Sequence, residues 1–340
     1  MAGTYLVKDT YATITLAIAA IPADLSSSPG VHEVIIEKDT YNETISITGF
    51  SNASSSDYIY IHAKNGDEHK GIFGTGVIVD GIFIETQYNK FKDIEVVADG
   101  NTGIDLTHIN AGFNEFENIL VKILTADLGF YSDDVTDSNY IYKCVFWDPN
   151  NLGTQGTGTG GSIETIIAKN CVCYGFNYGF GGKIETTNCV AMAGRTQDYG
   201  NVPIGTSDYN ASSDNKAPGT TVIHNLTAGQ AAFKNVGTGD FHINLGSILK
   251  GAGTEQSSTF LKDIDSQAID TNDWPIGIDY PVQTCWTYTA RYKNSKRLYR
   301  VGGPDVYPSK LRVPSNVDIS SGQMIDEGEL IDPSKYIITN

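Results

Sequence analysis

Asp93-Ile94-Glu95-Val96, Asn118-Ile119-Leu120-Val121, Lys143-Cys144-Val145, Asn170-Cys171-Val172 and Asn188-Cys189-Val190 are five copies of one short phrase. A polar residue opens it, Ile or Cys follows, and Val comes next or closes it. The opening residues stand at 93, 118, 143, 170 and 188, so the steps are 25, 25, 27 and 18. His224-Asn225-Leu226 is a weaker copy. A second phrase follows the first by about ten residues in three copies, Thr102-Gly103-Ile104, Leu128-Gly129-Phe130 and Tyr178-Gly179-Phe180. Two short strands per unit, joined by turns and repeated near 25 residues, predict the coils of a β-solenoid. Stacking the coils makes Ile94, Ile119, Cys144, Cys171 and Cys189 one inward ladder, where Cys serves as a small buried hydrophobe. Asp93, Asn118, Asn170 and Asn188 fall at the bends, where short polar side chains bond turn backbone. An antiparallel sandwich or jelly roll also uses short strands, but it needs no motif at a near-fixed step.

Working outward, short strands are expected at Val34–Ile36, Ile45–Ile47, Tyr58–Ile61, Val77–Val79 and Ile82–Ile84. Thr48-Gly49, Asn65-Gly66-Asp67 and Asp80-Gly81 are read as the turns between them. The run Gly153 to Gly161 is read as a flexible loop bulging from one coil. Before the first strand, Ile14, Ala17, Ile18 and Ile21 share a helical face that Pro22 stops, with Asp9 or Thr10 as the expected cap. The resulting plan is an all-β solenoid: residues 1–30 a cap helix region, 31–282 the solenoid, and 283–340 a C-terminal arm or docking segment.

Composition agrees with strands and turns. The chain has 340 residues, 40% apolar, with 36 Gly and 19 Tyr, enough for a sizeable core. Its net charge of −17 is uneven. Residues 286–312 hold seven basic residues and one acid, whereas residues 1–285 hold 15 basic residues against 34 acids. An acidic body repels phosphates, so nucleic acid and anionic membranes are not expected partners. The start shows no pattern of a secretory signal, and Ile14 to Ile21 is too short to span a bilayer, which leads to an expectation of synthesis in the cytoplasm. The five Cys include no CxxC pair. Cys171 and Cys173 are expected on one strand face as buried, reduced thiols.

Asp263-Ile-Asp265 … Ile276-Gly-Ile278-Asp279-Tyr280 resembles the closing segment of viral and bacterial right-handed parallel β-helix proteins, a pattern close to D-I-D-G … D-I-G-A-x-E-[FY]. Ser266 stands where Gly is usual, and Pro275 where Asp is. Gly239-Asp-Phe-His-Ile243 … Gly251-Ala-Gly-Thr254 resembles the last coils of the same pectate-lyase-like group. Tyr11-Ala-Thr-Ile14 … Tyr41-Asn-Glu-Thr-Ile45 resembles the capping helix and first coil of phage-encoded members. This resemblance covers residues 1–282 and implies a right-handed parallel β-helix. It also implies a virion setting: a non-catalytic capsid decoration, fibre or spike protein, made in the host cytoplasm. Its partners would be other virion proteins and itself, as a homo-oligomer that is trimeric by analogy.

The same fold houses pectate lyases, polygalacturonases and tailspike glycosidases, so a carbohydrate-active enzyme is the alternative. Polygalacturonase-like enzymes resemble one another in an N-x-D, D-D, G-H-G and R-x-K set, of which this chain has only Asp133-Asp134. Arg195, the only Arg before residue 286, sits in a Gly-rich turn. Inverting glycosidases need two carboxyls about 6.5–9.5 Å apart. Asp105, Asp133 and Asp134, with Asp137, are the candidates, since 105 and 133 fall near equivalent places in successive coils. A solvated polar turn explains Ser132 to Ser138 as well, and the run lacks the Gly and distal Glu of a recognised calcium loop. The six His (32, 62, 69, 108, 224 and 242) show no paired spacing for a metal, so neither metal nor cofactor is expected. His62 with Tyr58 and Tyr60 reads as a sheet-surface stack, and outward Tyr residues are candidates for glycan contact. Past residue 282, Trp286, Arg291, Lys293, Lys296, Arg297 and Arg300 form a basic aromatic stretch read as the partner-docking element. The alternating acidic and apolar end then reads as an extended arm or as a second strand layer.

Overall fold

The computed structural model describes residues 2–100, 102–106, 111–125, 128–132, 137–159, 165–192, 194, 196–200, 207–244, 246–269 and 273–279, and in the C-terminal part residues 287–292, 298–301, 317–318, 324–326 and 329–330; the side chains of 158–159 and of all residues beyond 279 are not described. The chain divides into two units, Met1–Pro281 and Val282–Asn340.

The first unit is a right-handed parallel β-helix with three faces. Its first face is an eight-stranded parallel sheet running from Thr4–Val7 through His32–Ile36, Ile59–Ala63 and Lys90–Lys92 to Ile184–Thr187. The other two faces are halves of a thirteen-stranded sheet that share the long strand Val77–Ile84. Val77–Val79 pairs with Ile94–Ala98 on the second face, and Ile82–Phe83 pairs with Ile104–Leu106 on the third. Asp80-Gly81, expected as a turn, therefore bends a continuous strand around the corner.

Register follows the sequence repeat. Lys90, Glu115, Tyr140, Ile167 and Glu185 are lateral partners in successive coils of the first face. Their spacing is that of the quoted phrase, because the turn after each strand is built the same way. The phrase's opening residues adopt the left-handed conformation, with φ of 58° at Asp93, 55° at Asn118, 53° at Lys143, 52° at Asn170 and 56° at Asn188. Asn and Asp accept that region at lower cost than other residues with a Cβ. Asn118 Nδ2 donates to Asp93 Oδ1 at 2.9 Å, and Asn188 Nδ2 to Asn170 Oδ1 at 3.1 Å. A second ladder stands at the corner before the first face. There the Asn89 backbone N–H donates to Asn114 Oδ1 at 2.8 Å and that of Asn114 to Asn139 Oδ1 at 3.0 Å.

Inside, Ile94, Ile119, Cys144, Cys171 and Cys189 are fully buried in one row. Phe91 stacks on Phe116 with ring centroids 5.0 Å apart. The third face carries a glycine row. A Cβ on Gly103, Gly129 or Gly156 would meet the carbonyl oxygen of the next coil's glycine at 2.7, 2.5 and 2.7 Å. Gly156 belongs to the run read as a loop. That reading is corrected: Gln155–Thr159 is a strand, paired with Leu128–Ser132 and Tyr178–Phe180, because Gly156 continues the glycine row and Thr157 the buried one.

The cap helix is Ile14–Ala19, and Ile14, Ala17 and Ile18 are buried as its spacing predicts. Its cap is Thr13, whose hydroxyl accepts from the Leu16 N–H at 3.1 Å, not Asp9 or Thr10. Glu43 completes the cap by accepting from the N–H groups of Ile14 and Thr15 at 2.9 and 3.0 Å.

The region expected as the last coils does something else. After Asn225 the chain turns back through a short helix, Ala228–Ala231, and an antiparallel hairpin, Phe233–Asn235 with Asp240–Ile243. This return segment packs on the outer side of the second face. There Leu120, Val145, Trp147 and Val172 point outward and form a second apolar cluster with Phe241, Ile264, Ile276 and Ile278. The Asn row anchors it: Asn170 Nδ2 donates to Pro275 O at 3.2 Å and Gly277 O at 2.7 Å, and Asn188 Nδ2 to Thr254 O at 2.7 Å.

The second unit contains Thr287–Tyr292, Leu298–Val301, Val317–Asp318, Met324–Asp326 and Glu329–Leu330, joined as one antiparallel sheet. The segment read as an arm thus contains strands that pair with one another.

Candidate functional site

Of the carboxylates singled out from sequence, Asp133 and Asp134 lie outside the described residues. So do Arg195, Trp286, Lys293, Lys296 and Arg297. Asp105 is half-buried on the third face, in register with Phe83 and Tyr131. Asp137 packs its Cβ against Gly112 at the corner leading to the first face, where a Cβ on the glycine would lie 2.6 Å away. Arg291 and Arg300 occupy neighbouring antiparallel strands, opposite Leu298 and Thr289 respectively.

The outer side of the first face is a polar and aromatic surface. Lys90 pairs with Glu115 at 3.1 Å, Lys92 with Glu117 at 3.2 Å, and Glu117 also with Lys143 at 2.8 Å. The expected stack is present, since Tyr60 and His62 lie 4.4 Å apart at 24° and His62 Nε2 meets Glu33 Oε1 at 3.0 Å. Tyr140 and Tyr142 continue the surface toward later coils, with centroids 6.1 Å apart. Cys171 and Cys173 are buried free thiols whose burial pushes them well above the usual range. They are structural groups, not nucleophiles.

A denser constellation lies where the return segment meets the third coil. Asp240 and His242 sit on the hairpin strand Asp240–Ile243, Asp263 and Asp265 flank Ile264, and Asp279 follows Ile278. His242 Nδ1 hydrogen-bonds Asp240 Oδ1 at 2.6 Å, and its Nε2 faces Asp265 Oδ2 at 3.9 Å. Asp279 Oδ2 accepts from the Ile243 N–H at 2.8 Å, and Asp263 Oδ1 from the Gln267 N–H at 2.7 Å. Asp263 and Asp279 are buried, and burial is the main reason both are held above the usual carboxylate range, Asp279 at about 6. For Asp263 the neighbouring Asp265 adds to the rise. Burial opposes the charged form of His242, but the Asp240 hydrogen bond and the charges of Asp279, Asp240 and Asp265 outweigh it and raise its pKa. Two further buried groups border this region. His69 Nε2 donates to Asn118 O (2.6 Å) and its Nδ1 accepts from the Gly71 N–H at 2.9 Å, and burial drives it down to about 4. Glu95 accepts from the Gly74 N–H at 2.6 Å, and burial raises it to about 7.

Sequence spacing missed this constellation, because its members come from three segments with 20 or more residues between Asp240 and Asp263. The signal was present in the closing pattern that carries Asp263, Asp265 and Asp279, and in His242 beside Asp240.

No family model matches the chain, and no curated protein matches it. Among solved structures, the crystal structure of the pectate lyase Pel9A is similar, with a TM-score of 0.46 and 14% identity, over 81% of this chain and 92% of that one. Among the described residues no helix is long and apolar enough to cross a membrane.

Proposed function

We propose that this chain is a non-catalytic structural or adhesive component of a virus particle, a capsid decoration, fibre or spike protein. The observation that carries the reading is the return segment. The outer stripe of the second face is covered by the chain's own Phe241, Ile264, Ile276 and Ile278. A glycosidase needs two carboxyls facing one accessible channel, whereas Asp263 and Asp279, themselves part of the return segment, are buried in its packing, 0% and 3% exposed. A pocket of about 350 Å³ beside the cap helix, lined by Thr15, Ile18, Ala19, Ile21, Ala23, Ser46, Thr48, Gly49 and Phe50, contains no ionisable side chain. The phage-like ends supply the virion setting. The β-helix serves as a rigid body, residues 282–340 as the element that meets other virion proteins, and the Tyr-bearing first face as the surface for glycans. Self-association completes the assembly.

Density-gradient purification of particles from a culture carrying the gene, followed by peptide mass spectrometry, tests the proposal. Peptides of this chain should co-purify with intact particles at a fixed ratio to the major capsid protein. Their absence from particles, together with cleavage of a bacterial polysaccharide by the purified chain, would replace the structural reading with the enzymatic one.

A further inference from the structure

We propose that His242, Asp265 and Asp279 bind a transition-metal dication of the zinc class, which staples the return segment of the β-helix. Their ligand atoms all lie within 4.8 Å of one another. Zinc bonds to nitrogen and oxygen are about 2.0–2.2 Å, so small side-chain movements bring three such atoms onto one ion. Each comes from a different stretch: the hairpin, the turn around Ile264, and the last described residue of the unit.

The histidine is set up as a ligand. Its Nδ1 is held by Asp240 Oδ1 at 2.6 Å, which leaves Nε2 to face inward. A carboxylate that fixes the far nitrogen of the ring is the usual partner of a metal-bound imidazole. Nε2 makes no hydrogen bond among the described residues, and its 3.9 Å separation from Asp265 Oδ2 is too long for one. Yet the His242 side chain is only 8% exposed. Across from it, Asp265 Oδ2 accepts from Gln267 Nε2, while Asp265 Oδ1 is buried with no hydrogen-bond partner among the described residues. A buried oxygen without a partner is costly, and a cation held between it and the open Nε2 would relieve that cost.

Charge points the same way. Four carboxyls, those of Asp240, Asp263, Asp265 and Asp279, lie around His242, and Lys234 acts on two of them, Asp240 and Asp279. The β-helix closes the other side. A Cβ on Gly71 would lie 2.8 Å from His242 Cε1 and 2.9 Å from Nε2, so the backbone of the third coil forms a wall against the ring. One imidazole with two carboxylates suits zinc, cobalt or a similar ion. Calcium, which takes six to eight oxygen ligands, and magnesium, which keeps its waters, fit this set poorly.

The test uses the full chain, stripped with a chelator and dialysed. Calorimetric titration with zinc and cobalt(II) should give one ion per chain, and either ion should raise the thermal midpoint by several degrees. Bound cobalt should show visible d–d bands without the near-ultraviolet band of thiolate ligation, which separates this site from the buried Cys row. His242→Gln and Asp265→Asn should abolish binding. Asp240→Asn, which alters the partner of the far nitrogen and of the His242 backbone N–H, should weaken it about tenfold to a hundredfold. The proposal is overturned if neither ion binds or stabilises the wild-type chain, if calcium alone does, or if folded His242→Gln binds zinc as the wild type does. Should that variant fail to fold, the cobalt spectrum of the wild type decides, since a thiolate band or no bands at all would also overturn it.

Discussion

A glycine and a histidine show how single positions hold this fold. Gly129 lies under the carbonyl of Gly156 in the next coil, 2.5 Å from where a Cβ would stand. Gly129→Ala must push two coils apart, and overpacking of this kind costs about 1–3 kcal/mol. Gly229, in the short helix of the return segment, has nothing within 4 Å of such a Cβ. Gly229→Ala should be neutral or stabilising by up to about 1 kcal/mol. Urea unfolding of the two variants checks the contrast, and equal effects would argue against the glycine row. His69 contributes an acid-side loss of stability. Burial lowers it to about 4 from the 6.5 of a free imidazole, so the unfolded chain binds the extra proton first. Stability from this group is complete above pH 6.5 and is lost progressively as pH falls toward 4, in total about 3 kcal/mol. Glu95, raised to about 7 from 4.5 by burial, has the opposite slope, destabilising the fold as pH rises between those values. In His69→Gln the acid-side loss should shrink while the Glu95 slope stays, as midpoints measured from pH 4 to 8 would show.

At the scale of elements, the bends carry two duties. Each Asn of the quoted phrase turns the backbone through the left-handed region, and Asn170 and Asn188 also hold the return segment by its carbonyls. Asn170→Gly keeps the backbone freedom and removes only the side-chain bonds. It should cost about 1–3 kcal/mol and speed amide exchange at 275–278 while leaving Ile94–Ala98 protected. Uniform acceleration would mean that the side chain supports the coils alone. Lys143 occupies the same bend with φ 53° and a side chain 3% exposed, bonded to Glu117 and to Lys262 O. Removing one partner of a buried ion pair strands the other, so Lys143→Met should destabilise by about 3–5 kcal/mol, less whatever Lys92 returns to Glu117.

What the sequence displayed followed from repetition. Coil register, the inward Cys and Ile row and the bends recur at steps near 25 residues, and the cap helix's buried face follows a helical period, so both are visible without knowing what they touch. Gly156 escaped because a run of Gly and Thr has the composition of a linker, and only its neighbours in space reveal the glycine row. Asp80-Gly81 escaped because a bend inside a strand and a turn between strands use the same residues. The buried carboxylates around His242 escaped for a third reason. They assemble only when the chain reverses along the β-helix, and no local period encodes that reversal.

At the scale of the β-helix unit, that reversal is the central feature: the described residues between 226 and 279 pack on the outer side of the second face and cover its apolar stripe. Without that cover, Leu120, Val145 and Val172 would form an exposed apolar stripe. The most direct measurement is hydrogen exchange of the full chain by mass spectrometry, followed at peptide resolution. Peptides covering Phe241–Ile243 and Ile276–Ile278 should be protected as strongly as Leu120–Ile123 and Val172–Tyr174, and should open with them as one unit under mild denaturant. Rapid exchange of the described peptides between 226 and 279 with the coils still protected would contradict the account, because the second face would then be open and the proposed structural role would lose the observation it rests on.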